Sequence, residues 1–165
     1  MDTMFRNIAF VIIALCSMTA HAANWKVFNT RADNRESVEF VDADTVVKTN
    51  DKITIWEKIV LDEDAPIKGT AYSWAERIVF SCKNKTTQTL QVTSYDKSHN
   101  FIETYDGSKP ELVIPGSIME SILTEVCTKG FPENLYPAIN NDVYETATVY
   151  FDYIKHPEKY DPAPK

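Results

Sequence analysis

Lys52–Leu61, KITIWEKIVL, carries the clearest structural signal in the chain. Ile53, Ile55 and Ile59 alternate with Thr54, Trp56 and Lys58, and β-branched and aromatic residues favour extended backbone. A period of two puts the isoleucines on one face of a strand and the Thr–Trp–Lys set on the other. The same signal recurs on both sides of this stretch. Upstream, residues 25–29 (WKVFN) and 37–41 (SVEFV) read as strands around the polar turn 31–36 (RADNRE). Thr45-Val46-Val47 follows, and Thr49-Asn50-Asp51 turns the chain into the central strand. Downstream, 62–69 (DEDAPIKG) is a loop. In 70–82, Tyr72, Trp74, Ile78, Phe80 and Cys82 share parity and so one face of a strand. Residues 86–95 alternate through Leu90 and Val92, 96–100 (DKSHN) make a hairpin-type connection, and 101–105 (FIETY) form a last short strand. Parallel pairing needs crossovers of a dozen residues, and no helical stretch of that length separates these strands. The reading is an antiparallel meander of about five to six strands.

A helix follows the sheet. In residues 114–127 (IPGSIMESILTEVC), Pro115-Gly116 breaks the chain, Ser117 stands at an N-cap, and Glu120 has the capping-box spacing. Ile118, Ile122 and Val126, with Met119 and Leu123 beside them, form an apolar stripe, and Cys127 closes the segment. Strands first and a helix after them make the class α+β, with the helix packed on one face of the sheet. Beyond Gly130, Pro132 and Pro137, the stretch 142–155 reads as a helix through Val143, Ala147, Tyr150, Phe151 and Ile154, with Asp142 and Glu145 as a second capping box. Its Thr, Val and Tyr content also suits a strand, and that alternative stays open. Residues 157–165 (PEKYDPAPK) read as a disordered tail.

Residues 1–22 have the pattern of a secretory signal: an apolar run over 8–18, then Ala20-His21-Ala22 with small residues at −3 and −1. The run is too short to span a bilayer, and the mature chain carries no transmembrane stretch. Cleavage after Ala22 is expected. Cys16 raises a lipoprotein alternative, but Leu15 precedes it where such a signal wants a small residue. Cleavage removes Cys16 and leaves Cys82 and Cys127 in an oxidising compartment. An even pair there is most simply a disulfide, worth about 4 kcal/mol in chain-entropy terms. Two free thiols are the alternative, without a CxxC spacing or a nearby histidine to support them.

Composition narrows function. A net charge of −7 over 165 residues does not suit nucleic acid. With 4 glycines and no GxGxxG or GxxxxGK[ST], there is no phosphate loop. No GxSxG occurs, and His99 beside Asn100 reads as a solvated turn residue, so no catalytic residue is assigned. His and Cys are too sparse for a zinc site, and no metal or cofactor ligand is assigned. His99, His156, Met119 or a tyrosine are the side chains that haem would need as an axial ligand. Asp42/Asp44 and Asp62-Glu63-Asp64 lack EF-hand spacing and read as solvated loops. Trp25, Trp56 and Trp74, with the tyrosines, are candidates for a recognition surface.

The order of features resembles the bacterial surface-adhesin protein E-like domain. The matching pieces are Trp25, Phe40-Val41-Asp42, Thr45-Val46-Val47, Ile53 to Trp56-Glu57-Lys58, Cys82, Leu90 to Tyr95, and Ile114-Pro115-Gly116-Ser117 leading to Cys127. They run in order over 24–129. The resemblance implies a sheet with a helix tied to it by a Cys82–Cys127 disulfide, in an exported protein of a Gram-negative bacterium. It implies a non-catalytic binding protein of the periplasm or outer cell surface. Its partners would be host matrix or serum proteins such as vitronectin or laminin. A periplasmic structural or accessory protein or inhibitor is the alternative, and a haem or small-ligand binder a further one. The expected organisation is a signal peptide over 1–22, the adhesin-like domain over 23–129 and an extension over 130–165. The chain departs from the family in running on past Cys127 and in its poor lipoprotein signal.

Overall fold

The structure is a computed structural model that describes residues 23–31, 37–64, 70–129 and 135–160. In chain order the elements are β1 (Trp25–Arg31), β2 (Ser37–Asp42), β3 (Val47–Thr49), β4 (Lys52–Leu61), β5 (Ser73–Ser81), β6 (Thr86–Tyr95), β7 (Phe101–Asp106), β8 (Glu111–Leu112), α1 (Ile118–Lys129) and α2 (Val143–Lys155). Every strand pairing is antiparallel, and the main path across the sheet is β1-β2-β4-β5-β6-β7. Two short strands complete it: β3 pairs with β4, and β8 pairs with β6. The α+β class and the meander therefore stand, with eight strands in the sheet. Residues 1–22, read as a secretory signal, lie outside the described residues.

Both faces of β4 carry apolar residues, so both need cover. On one face, Ile53 pairs with Phe80 and Ile55 with Ile78. These four, with Val41, pack against Leu123 and Val126 of α1. On the other face, Val60 pairs with Val38 and Lys58 with Phe40. Val38, Phe40 and Val60 pack against Val143, Ala147 and Phe151 of α2. The helices thus lie on opposite faces and towards opposite ends of β4. The alternation alone suggested an apolar face and a mixed one. The mixed face is apolar at its Val60 end, and that is where α2 sits.

Two residues leave their expected positions. Tyr72 precedes β5, escapes its parity and packs into the α2 cluster. Leu90 falls in a bulge of β6, where Arg77 faces Gln91 and Ile78 faces Thr89. Gly107 crosses there so closely that a Cβ would stand 1.8 Å from the Thr89 carbonyl oxygen. Its N–H donates to the Leu90 carbonyl at 3.0 Å.

The helix starts follow their capping residues. The Ser117 hydroxyl accepts from the Glu120 N–H at 3.2 Å. Glu120 reaches back one residue further than a capping box requires, to the Gly116 N–H at 2.6 Å. Leu123 and Val126 are buried, and Met119, Ile122 and Cys127 flank them; the Ile118 side chain lies outside the described ones. The 142–155 stretch is a helix, not a strand. Asp142 caps it, accepting from the N–H groups of Tyr144 at 2.8 Å and Glu145 at 3.2 Å. Glu145 does not close the second box; it accepts from Asn140 Nδ2 instead. The tail does not simply fray at Pro157. Pro157–Lys159 form a 3-10 turn, and the Tyr160 hydroxyl donates to Asp152 at 2.8 Å. Residues 161–165 lie outside the described ones.

The Cys82–Cys127 disulfide joins the end of the sheet to α1, with 5.6 Å between Cα atoms. It closes a loop 45 residues long, which constrains the unfolded chain by about 4 kcal/mol in entropic terms. Reduction is expected to lower stability by about 2–4 kcal/mol and to expose α1 amides to exchange before those of β4 and β5. Identical denaturant midpoints for reduced and oxidised protein would contradict this.

Candidate interaction surface

Beyond α2, the sheet face runs on from Trp56 to Lys52 without a helix over it. The strand register arranges its side chains in rows. Val47, Thr54, Val79 and Gln88 form one, and Trp56, Arg77 and Gln91 the next. Leu112 stands in the row of Lys52, Ser81 and Thr86. Val47 is 55% exposed, Leu112 77% and the nearby Ile114 72%. Trp56 and Val79 are half-buried and belong to neither core cluster. The result is an apolar strip beside the cations of Lys52 and Arg77, suited to apolar side chains with carboxylates at their edge. Of the three tryptophans singled out as a recognition set, Trp56 alone is on this strip. Trp25 packs against the α2 cluster, and Trp74 is on the opposite face.

The other open end of the sheet lies on the α1 face and is acidic. Glu57 is directly opposite Glu76, and Glu39 is one row away on β2. With Met119 and Ile122 of α1 they line a pocket of about 160 Å³. Burial, and then the charge of Glu39, push the Glu76 carboxyl above the ordinary carboxylate range. Burial followed by the charges of Glu76 and Glu103 raises the Tyr105 phenol.

A third cleft, of about 260 Å³, lies between α2 and the β4–β5 connection. Here Lys155 Nζ lies 2.6 Å from Asp62 and 2.8 Å from Asp64. Those hydrogen bonds raise the Lys155 pKa. Burial, then Glu63 and Asp62, push the Tyr72 phenol up to about 12. The acidic run 62–64 is therefore not simply a solvated loop; it receives the C-terminal end of α2. The other acidic pair is structural too. Asp42 accepts from the Asn24 N–H at 2.9 Å, and Asp44 from the Asn24 side chain at 3.0 Å.

The isolated histidines do not meet. His99 sits in the β6–β7 turn at φ 63° and stacks on Tyr144, with ring centroids 3.4 Å apart and planes 10° from parallel. His99 is exposed in that turn, as read, and the stacking on Tyr144 adds a partner. His156 follows the other end of α2, about 18 Å of helix rise from Tyr144. Met119 is on the opposite sheet face. Among the described residues, no group of three or more His, Cys, Asp or Glu is placed to hold a metal ion, and no helix is long and apolar enough to cross a membrane. Lys58 was missed in the sequence, where it reads as an outward residue of β4. Val60 two places on and Phe40 across from it are the signals that this face is covered.

The family model for surface-adhesin protein E matches residues 25–128. The chain belongs to the surface-adhesin protein E family. The matched stretch takes in the whole sheet, nearly all of α1 and both cysteines, and it ends before α2. The chain is also similar to the crystal structure of protein E from non-typeable Haemophilus influenzae. That similarity is at 12% identity and a TM-score of 0.40, covering 83% of this chain and 92% of that one. No curated protein matches the chain.

The glutamate pair at the acidic end of this adhesin-family domain has a measurable consequence. A carboxyl raised on folding gives stability that is present below its unfolded value and lost as pH rises through its folded one. Glu76→Gln is therefore expected to stabilise the protein at pH 7, by up to about 1 kcal/mol, because a neutral amide is cheaper to bury beside Glu39 than a carboxylate. The gain should vanish near pH 4. Denaturant melts at the two pH values check it.

Proposed function

We propose that this chain is an exported, non-catalytic binding protein of the cell envelope that recognises a host matrix or serum protein. The family match over residues 25–128 carries this reading. Two further features support it. The N-terminal pattern is that of a secretory signal, and the apolar strip around Val47, Trp56, Val79 and Leu112 is open to a protein partner. We take the organisation to be a leader over 1–22, an adhesin domain over 23–129 and an extension over 130–165. Display at the outer surface follows from an adhesin role.

The test is saturable binding of the purified mature chain to immobilised vitronectin or laminin, with protease treatment of intact cells to report surface display. Leu112→Asp changes a side chain 77% exposed and outside the core, so the fold should survive it. Binding is expected to fall at least tenfold in that variant, the scale of one interface anchor. Saturable binding untouched by Leu112→Asp would move the contact surface elsewhere. No binding, with protein found only in the periplasm, would remove the adhesin reading.

A further inference from the structure

Lys58 stands in the middle of β4, on the face that α2 covers, and is 9% exposed. Its ammonium lies 3.9 Å from the centroid of the Tyr95 ring on β6 and 4.8 Å from that of Tyr144 on α2. No hydrogen bond or ion pair joins it to any described residue. The groups around it are largely neutral. Phe40 and Ala75 are its lateral neighbours on β2 and β5. The Tyr144 hydroxyl is 3.0 Å from Ser73 Oγ, and His99 stacks on the Tyr144 ring. Burial raises the pKa of both Tyr95 and Tyr144, so both phenols keep their protons at neutral pH. The nearest acids to act on Tyr144 are Asp142 and Asp96, and neither bonds to the ammonium. Two ring faces return only part of the hydration a lysine loses.

Part of this enclosure is contributed by α2 itself, through Tyr144. The helix is tied to the sheet by non-covalent contacts, whereas α1 is also fixed by the Cys82–Cys127 disulfide. It lies outside the stretch matched by the family, and it is held by one apolar stripe, by the hydrogen bond between Tyr144 and Ser73, and by ion pairs to the exposed Asp64 and buried Asp62. We propose that α2 is a releasable cover, poised to lift because docking it desolvates the Lys58 ammonium without a counter-ion, and that its release uncovers the apolar face of Val38, Phe40 and Val60 while the sheet stays folded. The inference does not depend on which partner the protein binds.

Proton linkage gives the sign. Burial lowers Lys58 from 10.5 to about 8 in the docked state. Released, the amine loses the Tyr144 side of its enclosure, regains water there and binds more protons than the docked form between those values. Docking therefore strengthens as pH rises through 8 towards 10.5 and is flat below about 7. From pH 7 to 9.5 the docking constant should rise by up to roughly thirtyfold, the limit reached if release returns the amine fully to water.

Hydrogen exchange of the full mature chain, corrected for intrinsic rates, tests this at pH 7 and 9.5. Peptides over 143–155 are compared with peptides over β4 and β5. Protection of α2 should lie below that of the sheet at pH 7 and rise at pH 9.5, by up to about thirtyfold. In Lys58→Met it should be high at both pH values, with no step. Equal protection of α2 and the sheet at pH 7, no pH step in the unsubstituted protein, or unchanged α2 protection in Lys58→Met would each overturn the proposal. The comparison in the unsubstituted protein needs no variant, so it stands even where Lys58→Met folds poorly.

Discussion

The structure depends on β4 being apolar on one face at its start and on the other at its end. Ile53 and Ile55 need cover on one side, and Val60, with Val38 and Phe40 beside it, needs cover on the other. A single helix cannot meet both needs. Each fully buried aliphatic side chain contributes about 1.5–3 kcal/mol, so each cluster adds several kcal/mol to a domain of this size. The chain meets one need with a disulfide-tied helix inside the adhesin domain and the other with a helix from the extension. The diagonal arrangement then leaves one end of each face without a helix, apolar on one side and acidic on the other.

Charge is placed with the same economy. Asp42 and Asp142 each hold backbone N–H groups at the start of a helical turn, and Asp62 receives Lys155. Much of the acidic excess is thus structural. Lys58 is the exception among the cations, because it is buried against rings rather than paired with a carboxylate. The two helices consequently differ in kind. One is covalently fixed by the disulfide, and the other rests non-covalently on a surface that contains a buried ammonium.

Local signals in the sequence led to the right elements. The alternation in 52–61, Ser117 ahead of one helix and Asp142 ahead of the other act within a few residues, and the structure follows them. Facing and partnership are non-local and were less legible. Nothing within five residues of Lys58 says that Tyr144 will lie over it, 86 positions later. Tyr72 broke parity because the strand begins one residue after it, and the bulge at Leu90 depends on the pairing of β6 with β5. His99 is exposed, as its polar sequence neighbours suggest, but its aromatic partner comes from another element and was not legible. The apolar strip rests on register across four strands, which no single segment encodes.

The entry of the chain into the fold has a mechanical meaning. The Trp25 carbonyl accepts from the Ala138 N–H at 2.9 Å, and the Val27 N–H donates to the Tyr136 carbonyl at 2.8 Å. Asn141 binds both the Trp25 N–H and the Ala23 carbonyl. The first residues of β1 are therefore clamped between β2 and the start of the extension. A pull applied at the N-terminal end, as a tether to a cell surface would apply it, loads these lateral hydrogen bonds and the Trp25 packing beside them before it reaches β4. Because the clamp is antiparallel and runs along the line of pull, its bonds would share the load in shear instead of opening one at a time. The extension that supplies the second helix would then also serve as the strain relief for the domain it covers.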